Sequence, residues 1–195
     1  MTSHVEVAAQ PGTARGHAPV ALPVSVLVGN PRRGSRTLDI ATRVGAMLHG
    51  DLLDSGVPLG EPGLVDLSAI GPDLARWESS PPAADAATAT VCASRLLLVA
   101  SPTLKASYSG LLKLFLDRLP RRALTGVVCV PVMTAASPAH TFAVDACLRP
   151  LLVELGATVP VQGLTVLEAD FGALDEAVAR WRAAATPVLS AVLAL

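Results

Sequence analysis

A short segment near residue 30 combines positive charge with hydroxyl groups, a combination that suits a phosphate group. Between Asn30 and Thr37 the chain has three arginines and two hydroxyl side chains. Arginine can bind a phosphate through two parallel hydrogen bonds, and a hydroxyl group adds a further donor. The segment matches neither the triphosphate motif G-x-x-x-x-G-K-[ST] nor the dinucleotide motif G-x-G-x-x-G. It therefore indicates another kind of phosphate site, with an ordinary turn of solvated arginines as the alternative.

A strand and a helix must hold this segment in place, and the sequence predicts both. Residues 22–29 (LPVSVLVG) form a β-branched run that ends at a Gly-Asn-Pro turn, which indicates a strand. Residues 35–48 repeat apolar side chains at helical spacing, with Ser35 as a candidate N-cap. Because the free N–H groups and the dipole at a helix start attract anions, this position favours the phosphate interpretation.

Strands and helices continue to alternate along the chain. We predict further strands at 64–67, 96–100, 127–132 and 160–167, and further helices at 83–94, 109–119, 139–155 and 174–192. Residues 72–82 are predicted to form a loop. This alternation predicts an α/β fold, a parallel sheet with helices on both faces. Since ligands bind at the carboxyl ends of such strands, we expect the binding site in the loops after the first, third and fourth strands.

Composition limits the class of protein. The chain has 195 residues, of which 51% are hydrophobic, enough for one domain at 22–195 after a flexible tail at 1–21. A net charge of −1 leaves no basic surface for nucleic acid. No apolar run reaches the roughly 18–20 residues of a membrane span, and no signal peptide is visible. The three cysteines lack paired or metal-ligand spacing, so we expect a cytoplasmic protein without a metal site.

The loops after the third and fourth strands carry the most specific sequence. Residues 101–120 (SPTLKASYSGLLKLFLDRLP) resemble the loop-plus-helix signature of the NAD(P)H-dependent FMN reductases, above all those that supply two-component monooxygenases. Residues 133–140 (MTAASPAH) and 148–150 (Leu-Arg-Pro) resemble later motifs of the same family, and residues 29–37 resemble its phosphate loop. The motifs occur in the family's order between residues 24 and 156.

This resemblance implies a flavodoxin-like three-layer sandwich around a five-stranded parallel sheet with strand order 2-1-3-4-5. It implies an oxidoreductase in which NADPH or NADH transfers a hydride to N5 of FMN. Reduced FMN would then pass to a partner such as a flavin-dependent monooxygenase, or to another acceptor. The protein would supply geometry and hydrogen bonds without a catalytic side chain, and it would form a homodimer or homotetramer.

The resemblance also assigns residues to parts of FMN. The phosphate would be bound by Asn30, Arg32, Ser35, Arg36 and Thr37. The isoalloxazine ring would be bordered by Pro102, Thr103, Leu104, Lys105, Ala106 and Ser107. The pyrimidine edge of the ring would face Thr134, Ala135, Ala136 and Ser137.

The sequence departs from the family in three places. Ala135 and Ala136 replace a glycine pair, and a left-handed backbone at either would cost about 1–2 kcal/mol and weaken FMN binding. Leu104 stands where relatives usually have tyrosine. Ala146 stands where two-component relatives carry a tyrosine that packs across their oligomer interface. Pro150 lacks an N–H and clashes with the carbonyl of Ala146, which predicts a kink or π-type bulge there. The changes at Leu104, Ala135 and Ala136 favour FMN as a loosely held substrate.

Two other functions remain open at this point. One is an NAD(P)H:quinone or azo reductase with tightly held FMN, and the other is a non-catalytic flavodoxin-like binding partner. Lys105 and Arg118 could each meet the phosphate of NADPH, but we favour a solvated loop for Lys105 and a helix C-terminal charge for Arg118. We interpret His140 as a residue that bonds the loop before it, not as a catalytic group.

Overall fold

The predicted parallel sheet is confirmed in the computed structural model, which describes residues 20–76, 78–79 and 81–195. Five strands lie in the order β2-β1-β3-β4-β5, each parallel to its neighbours. They are β1 (Val24–Val28), β2 (Gly63–Asp66), β3 (Leu96–Pro102), β4 (Val128–Ala135) and β5 (Leu164–Leu167). Most of the tail predicted at residues 1–21 lies outside the described residues.

Helices cover both faces of the sheet, which explains the uninterrupted apolar runs of its central strands. The helices α1 and α6 share one hydrophobic cluster, and α3, α4 and α5 belong to a second cluster on the opposite face. No helix in the described ranges is both long and apolar enough to cross a membrane. The α-helices are α1 (Arg36–Asp54), α2 (Gly71–Leu74), α3 (Pro82–Ala93), α4 (Gly110–Leu116), α5 (Arg149–Glu154) and α6 (Leu174–Leu193).

The structure differs from the sequence prediction at two places near the site. Strand β4 continues to Ala135, so the first three residues of the loop predicted at 133–140 belong to a strand. Pairing with β5 explains the extension, because Val132–Ala135 align with that edge strand. The segment predicted as a loop at 72–82 contains the end of the short helix α2, which has a proline in its first turn.

The irregular helix predicted before Pro150 is confirmed. Residues Val144–Leu148 form a π-helix that continues directly into α5, and the Arg149 N–H bonds to the Val144 carbonyl five residues earlier. The Arg149 guanidinium donates to Asp145 at 2.6 and 2.8 Å and to the carbonyls of Val159 and Val161 at 2.8 and 2.6 Å. These charge-assisted hydrogen bonds fix the π-helix against the segment that leads into β5.

All three cysteines are free thiols. Cys129 lies in the middle of β4, where burial raises the pKa of its thiol to about 12. Cys92 on α3 is half-buried, and burial raises the pKa of its thiol as well. Cys147 lies in the π-helix and is also half-buried. The thiols of Cys92 and Cys129 are therefore protonated near neutral pH.

Candidate functional site

Three loops meet at the carboxyl edge of the sheet, because β1, β3 and β4 are neighbours there. We call them the phosphate loop (residues 29–35), the hairpin loop (residues 103–107) and the β4 loop (residues 136–137). The Gly29 N–H donates to the Ala100 carbonyl at 2.8 Å, and the Thr103 N–H donates to the Thr134 carbonyl at 2.7 Å. Backbone hydrogen bonds therefore hold the start of the first two loops to the neighbouring strand.

Two buried serines join the phosphate loop to α4. Ser109 caps this helix, since its hydroxyl oxygen accepts the Leu112 N–H at 3.1 Å. The same hydroxyl donates to the Gly29 carbonyl, and the Ser109 N–H donates to the Ser101 hydroxyl at 2.9 Å. Neither serine is among the site residues that the family resemblance assigns. Their signal in the sequence is a serine directly after a buried strand and another directly before an apolar helical stripe.

A second hydrogen-bonded group joins the phosphate loop to β4. The Asn30 amide donates to the Thr37 hydroxyl at 2.9 Å, and the Thr37 and Thr134 hydroxyl oxygens lie 2.9 Å apart. The side-chain oxygen Oδ1 of Asn30 accepts the Arg32 backbone N–H at 2.9 Å, which shapes the turn. Thr37 and Thr134 are buried. Three of the residues assigned to FMN are thus brought together as supports of the loop.

The phosphate loop presents exposed cations at the start of α1. Arg32, Arg33 and Arg36 are exposed, whereas Ser35 is buried and its hydroxyl accepts the Leu38 N–H at 3.2 Å as the predicted N-cap. Ser35 also bonds the Leu38 and Asp39 N–H groups through its carbonyl, so the preceding N–H groups of the helix remain for an anion. This charge and helix start fit a phosphate dianion.

Arg36 differs from the other two arginines. Its guanidinium lies 3.5 Å from the Glu168 carboxylate and 5.6 Å above the ring of Phe171. The ion pair is exposed on both sides, so it contributes at most about 1 kcal/mol to stability. The structure therefore directs Arg36 toward the segment between β5 and α6, while Arg32 and Arg33 have no such ion pair among the described residues.

The hairpin loop contains an unusual turn. Leu104 and Ser107 exchange backbone hydrogen bonds of 2.8 and 3.2 Å, so Lys105 and Ala106 form a two-residue turn. Both residues are left-handed, with φ angles of 54° and 63°. Such turns favour Asn-Gly or Asp-Gly, and a left-handed backbone at other residues costs about 1–2 kcal/mol each. This turn could not be predicted from the sequence, because neither residue is glycine or asparagine.

The left-handed strain considered for the two alanines does not occur. Neither Ala135 nor Ala136 has a positive φ. Ala135 is buried and aligned with Leu167 of β5, and Ala136 is exposed at the start of the β4 loop. Ala135 is extended and Ala136 has no positive φ, so the glycine pair of the family is not required here for conformational reasons.

Around the hairpin loop the remaining assigned residues differ in exposure. Leu104 is 47% exposed, an apolar side chain available to a flat ligand. Lys105 is exposed as well, and Pro102, Thr103, Ala106 and Ser107 are half-buried. The Thr103 hydroxyl oxygen is buried and lacks a hydrogen-bond partner among the described residues. In the β4 loop Ser137 is half-buried and accepts the Ala139 N–H at 3.3 Å.

Arg118 and His140, both discussed in the sequence analysis, each form hydrogen bonds with backbone carbonyls nearby. Arg118 donates to the carbonyls of Leu74, Arg76 and Ser79 at 3.4, 3.1 and 3.0 Å, so it fixes the end of α2 instead of facing a ligand. The backbone N–H of His140 donates to the Ser137 carbonyl at 3.1 Å, as it would for any residue in this short 3-10 helix, so the role of the imidazole stays a prediction. On α4, a hydrogen bond from Lys113 to Asp117 raises the pKa of the lysine.

Comparison with known proteins gives a consistent result. Residues 22–171 match the family model described as NADPH-dependent FMN reductase. The chain is 37% identical over 144 residues to the FMN reductase (NADPH) of Escherichia coli K12, covering 72% of this chain and 71% of that protein. It is 35% identical over 155 residues to the NADH-dependent FMN reductase SfnF of Pseudomonas fluorescens Pf0-1, covering 77% and 79%.

Solved structures show the same similarity. The apo form of the NADH:FMN oxidoreductase EMOB superimposes with a TM-score of 0.68 at 31% identity, covering 84% of this chain and 90% of that one. An oxidoreductase from Corynebacterium diphtheriae superimposes with a TM-score of 0.76 at 27% identity, covering 90% and 98%.

The contact between the phosphate loop and α4 leads to a stability prediction. A Cβ atom at Gly29 would lie 2.5 Å from Leu112 Cβ and 3.1 Å from its Cα, so α4 must move in Gly29→Ala. We expect this variant to lower the free energy of unfolding by about 1–3 kcal/mol. Gly110→Ala is the matched control, because a Cβ there meets nothing within 4 Å. Urea denaturation measures both, and equal stabilities would contradict this packing.

Proposed function

The chain belongs to the NADPH-dependent FMN reductase family, and from this premise we propose that it supplies reduced FMN to a partner oxygenase or another acceptor in the cytoplasm. The chain is an NAD(P)H-dependent FMN reductase, an oxidoreductase that uses FMN with NADPH or NADH. The relatives' names describe FMN as the molecule that is reduced, which supports FMN as a substrate that leaves. Three free thiols are typical of a reducing compartment.

The observation that carries the site proposal is the helix start with its exposed arginines. We place the FMN phosphate there, against Arg32 and the first N–H groups of α1, with Ser35 fixing the helix start. Asn30 and Thr37 hold the shape of the loop through their hydrogen bonds. Arg36 can approach the phosphate once it leaves its exposed ion pair, because that pair is weak.

The hairpin and β4 loops border the isoalloxazine ring in this proposal. When bound, FMN supplies the N5 atom that accepts hydride from the nicotinamide. The chain contributes a flat edge: Leu104 offers apolar surface, and the backbone of the hairpin loop is fixed by its paired hydrogen bonds. Ala136 and Ser137 lie at the neighbouring strand end, where backbone groups can bond the pyrimidine edge. Positioning of this kind needs no acid or base.

The phosphate position is tested by one substitution and its control. We expect Arg32→Ala to raise the Kd for FMN about five- to tenfold, because a charge-assisted hydrogen bond is worth about 1–1.5 kcal/mol here. Arg43→Ala removes the same charge from α1, at a residue paired with Asp175, and should leave the Kd nearly unchanged. Quenching of flavin fluorescence measures both constants. Equal Kd values for Arg32→Ala and wild type would place the phosphate elsewhere.

The acceptor is tested by steady-state kinetics. We expect oxidation of NADPH or NADH by the purified protein to rise with added free FMN and to saturate, since FMN is the substrate in this proposal. Turnover of a quinone or azo compound without added flavin would instead show a reductase with tightly held FMN. Failure to bind FMN at high micromolar concentration would favour a non-catalytic binding partner and contradict the site proposal.

We propose that the chain associates with itself through α4 and the segment from the π-helix to α5. Two exposed apolar side chains support this surface: Val153 on α5 and Phe142 just before the π-helix, at 54% and 53% exposure. Burying them against a second copy would remove apolar surface from water. Sedimentation equilibrium should show a dimer or tetramer for the wild type and a smaller species for Val153→Glu. A monomeric wild type at micromolar concentration would contradict the proposal.

A further inference from the structure

One side chain connects the π-helix to the hairpin loop. The Cys147 sulfur lies 3.7 Å from the carbonyl oxygen of Ala106, within reach of a weak S–H···O hydrogen bond. Ala106 is one of the two left-handed residues of the turn, and Cys147 lies near the end of the π-helix. The contact therefore joins the strained turn to an element 41 residues further along the chain.

The turn needs such support because its own sequence disfavours it. Lys105 and Ala106 carry side chains in a backbone region that favours glycine and asparagine. The adjoining Thr103 hydroxyl is buried without a partner among the described residues, which adds a further cost. A strained turn persists only where its surroundings hold it in place. The Leu104–Ser107 hydrogen bonds hold the turn from within, and the Cys147 thiol adds a contact from outside it.

The π-helix determines that Cys147 is the residue that makes this contact. An α-helix turns about 100° per residue, so the one extra residue of a π-turn changes the direction of the side chains on one side of it. Pro150 begins this chain of causes, because it cannot donate a backbone hydrogen bond in a regular helix. Pro150 therefore favours the π-helix, the π-helix directs Cys147 toward the hairpin loop, and Cys147 contacts the turn.

We propose that Cys147 is a positioning residue of the flavin site, which acts by holding the left-handed Lys105–Ala106 turn in the conformation that borders the ring. The proposal rests on the placement of FMN beside the hairpin loop given above. The thiol acts through the Ala106 carbonyl and does not itself touch the flavin. A substitution that removes the thiol should therefore weaken FMN binding only if the turn is strained.

A double-mutant cycle tests this dependence. Cys147→Ala and the volume-conserving Cys147→Val should each raise the Kd for FMN about three- to tenfold. Glycine adopts the left-handed backbone freely, so in an Ala106→Gly background the same substitutions should change the Kd less than twofold. Cys92→Ala removes another half-buried thiol, on α3, and should have no effect in either background. Equal changes in both backgrounds, or no change in wild type, would overturn the proposal.

A second readout needs no flavin. Trypsin cleaves after lysine, and Lys105 is exposed at the tip of the turn. In the flavin-free protein, cleavage after Lys105 should be at least threefold faster in Cys147→Val than in wild type or Cys92→Ala, as followed by mass spectrometry. Equal cleavage rates would overturn the role of Cys147. If wild type fails to bind FMN, the proposed function fails, while this comparison still tests the support of the turn.

Discussion

The buried Ser109 hydroxyl connects more of the site than any single charged group in it. It accepts a helix N–H from α4 and donates to the Gly29 carbonyl, and the Ser109 N–H donates to Ser101 at the end of β3. Leaving a buried polar group unpaired is costly, and here the pairing fixes the distance between the phosphate loop and α4. Gly29 allows this approach, since any side chain there meets Leu112. The position of α1 relative to the hairpin loop depends on this close contact.

The polar residues of the site divide into a buried framework and an exposed rim. Asn30, Thr37 and Thr134 bond one another and hold the loop, whereas Arg32 and Arg33 extend into solvent. This division explains why residue type alone did not separate ligands from supports. An amide or hydroxyl suits a phosphate, but it suits a neighbouring side chain equally well. Arg32 and Arg33 are exposed and have no ion pair among the described residues, so their assignment to an anion is the more specific one.

Local signals predicted most of the fold. The buried strands, the Ser35 cap and the irregular helix before Pro150 each follow from a few adjacent residues, and each is confirmed. The features that were missed leave no local signal. Strand β4 continues to Ala135 because β5 lies beside it, outside any short sequence window. The left-handed turn at Lys105 and Ala106 is closed by its neighbours Leu104 and Ser107, and neither turn residue is of a type that marks such a turn.

The position of the backbone strain changes how the departures from the family are understood. Loss of the glycine pair suggested weak flavin binding through strain at Ala135 and Ala136, but the strain lies in the hairpin loop instead. Ala135 is held extended by β5, a conformation that costs alanine nothing. Weak FMN binding therefore cannot be attributed to backbone strain at the two alanines. In the proposed site, the hairpin loop is the segment where backbone energy would be coupled to flavin binding, because a strained turn must be held by contacts from neighbouring elements.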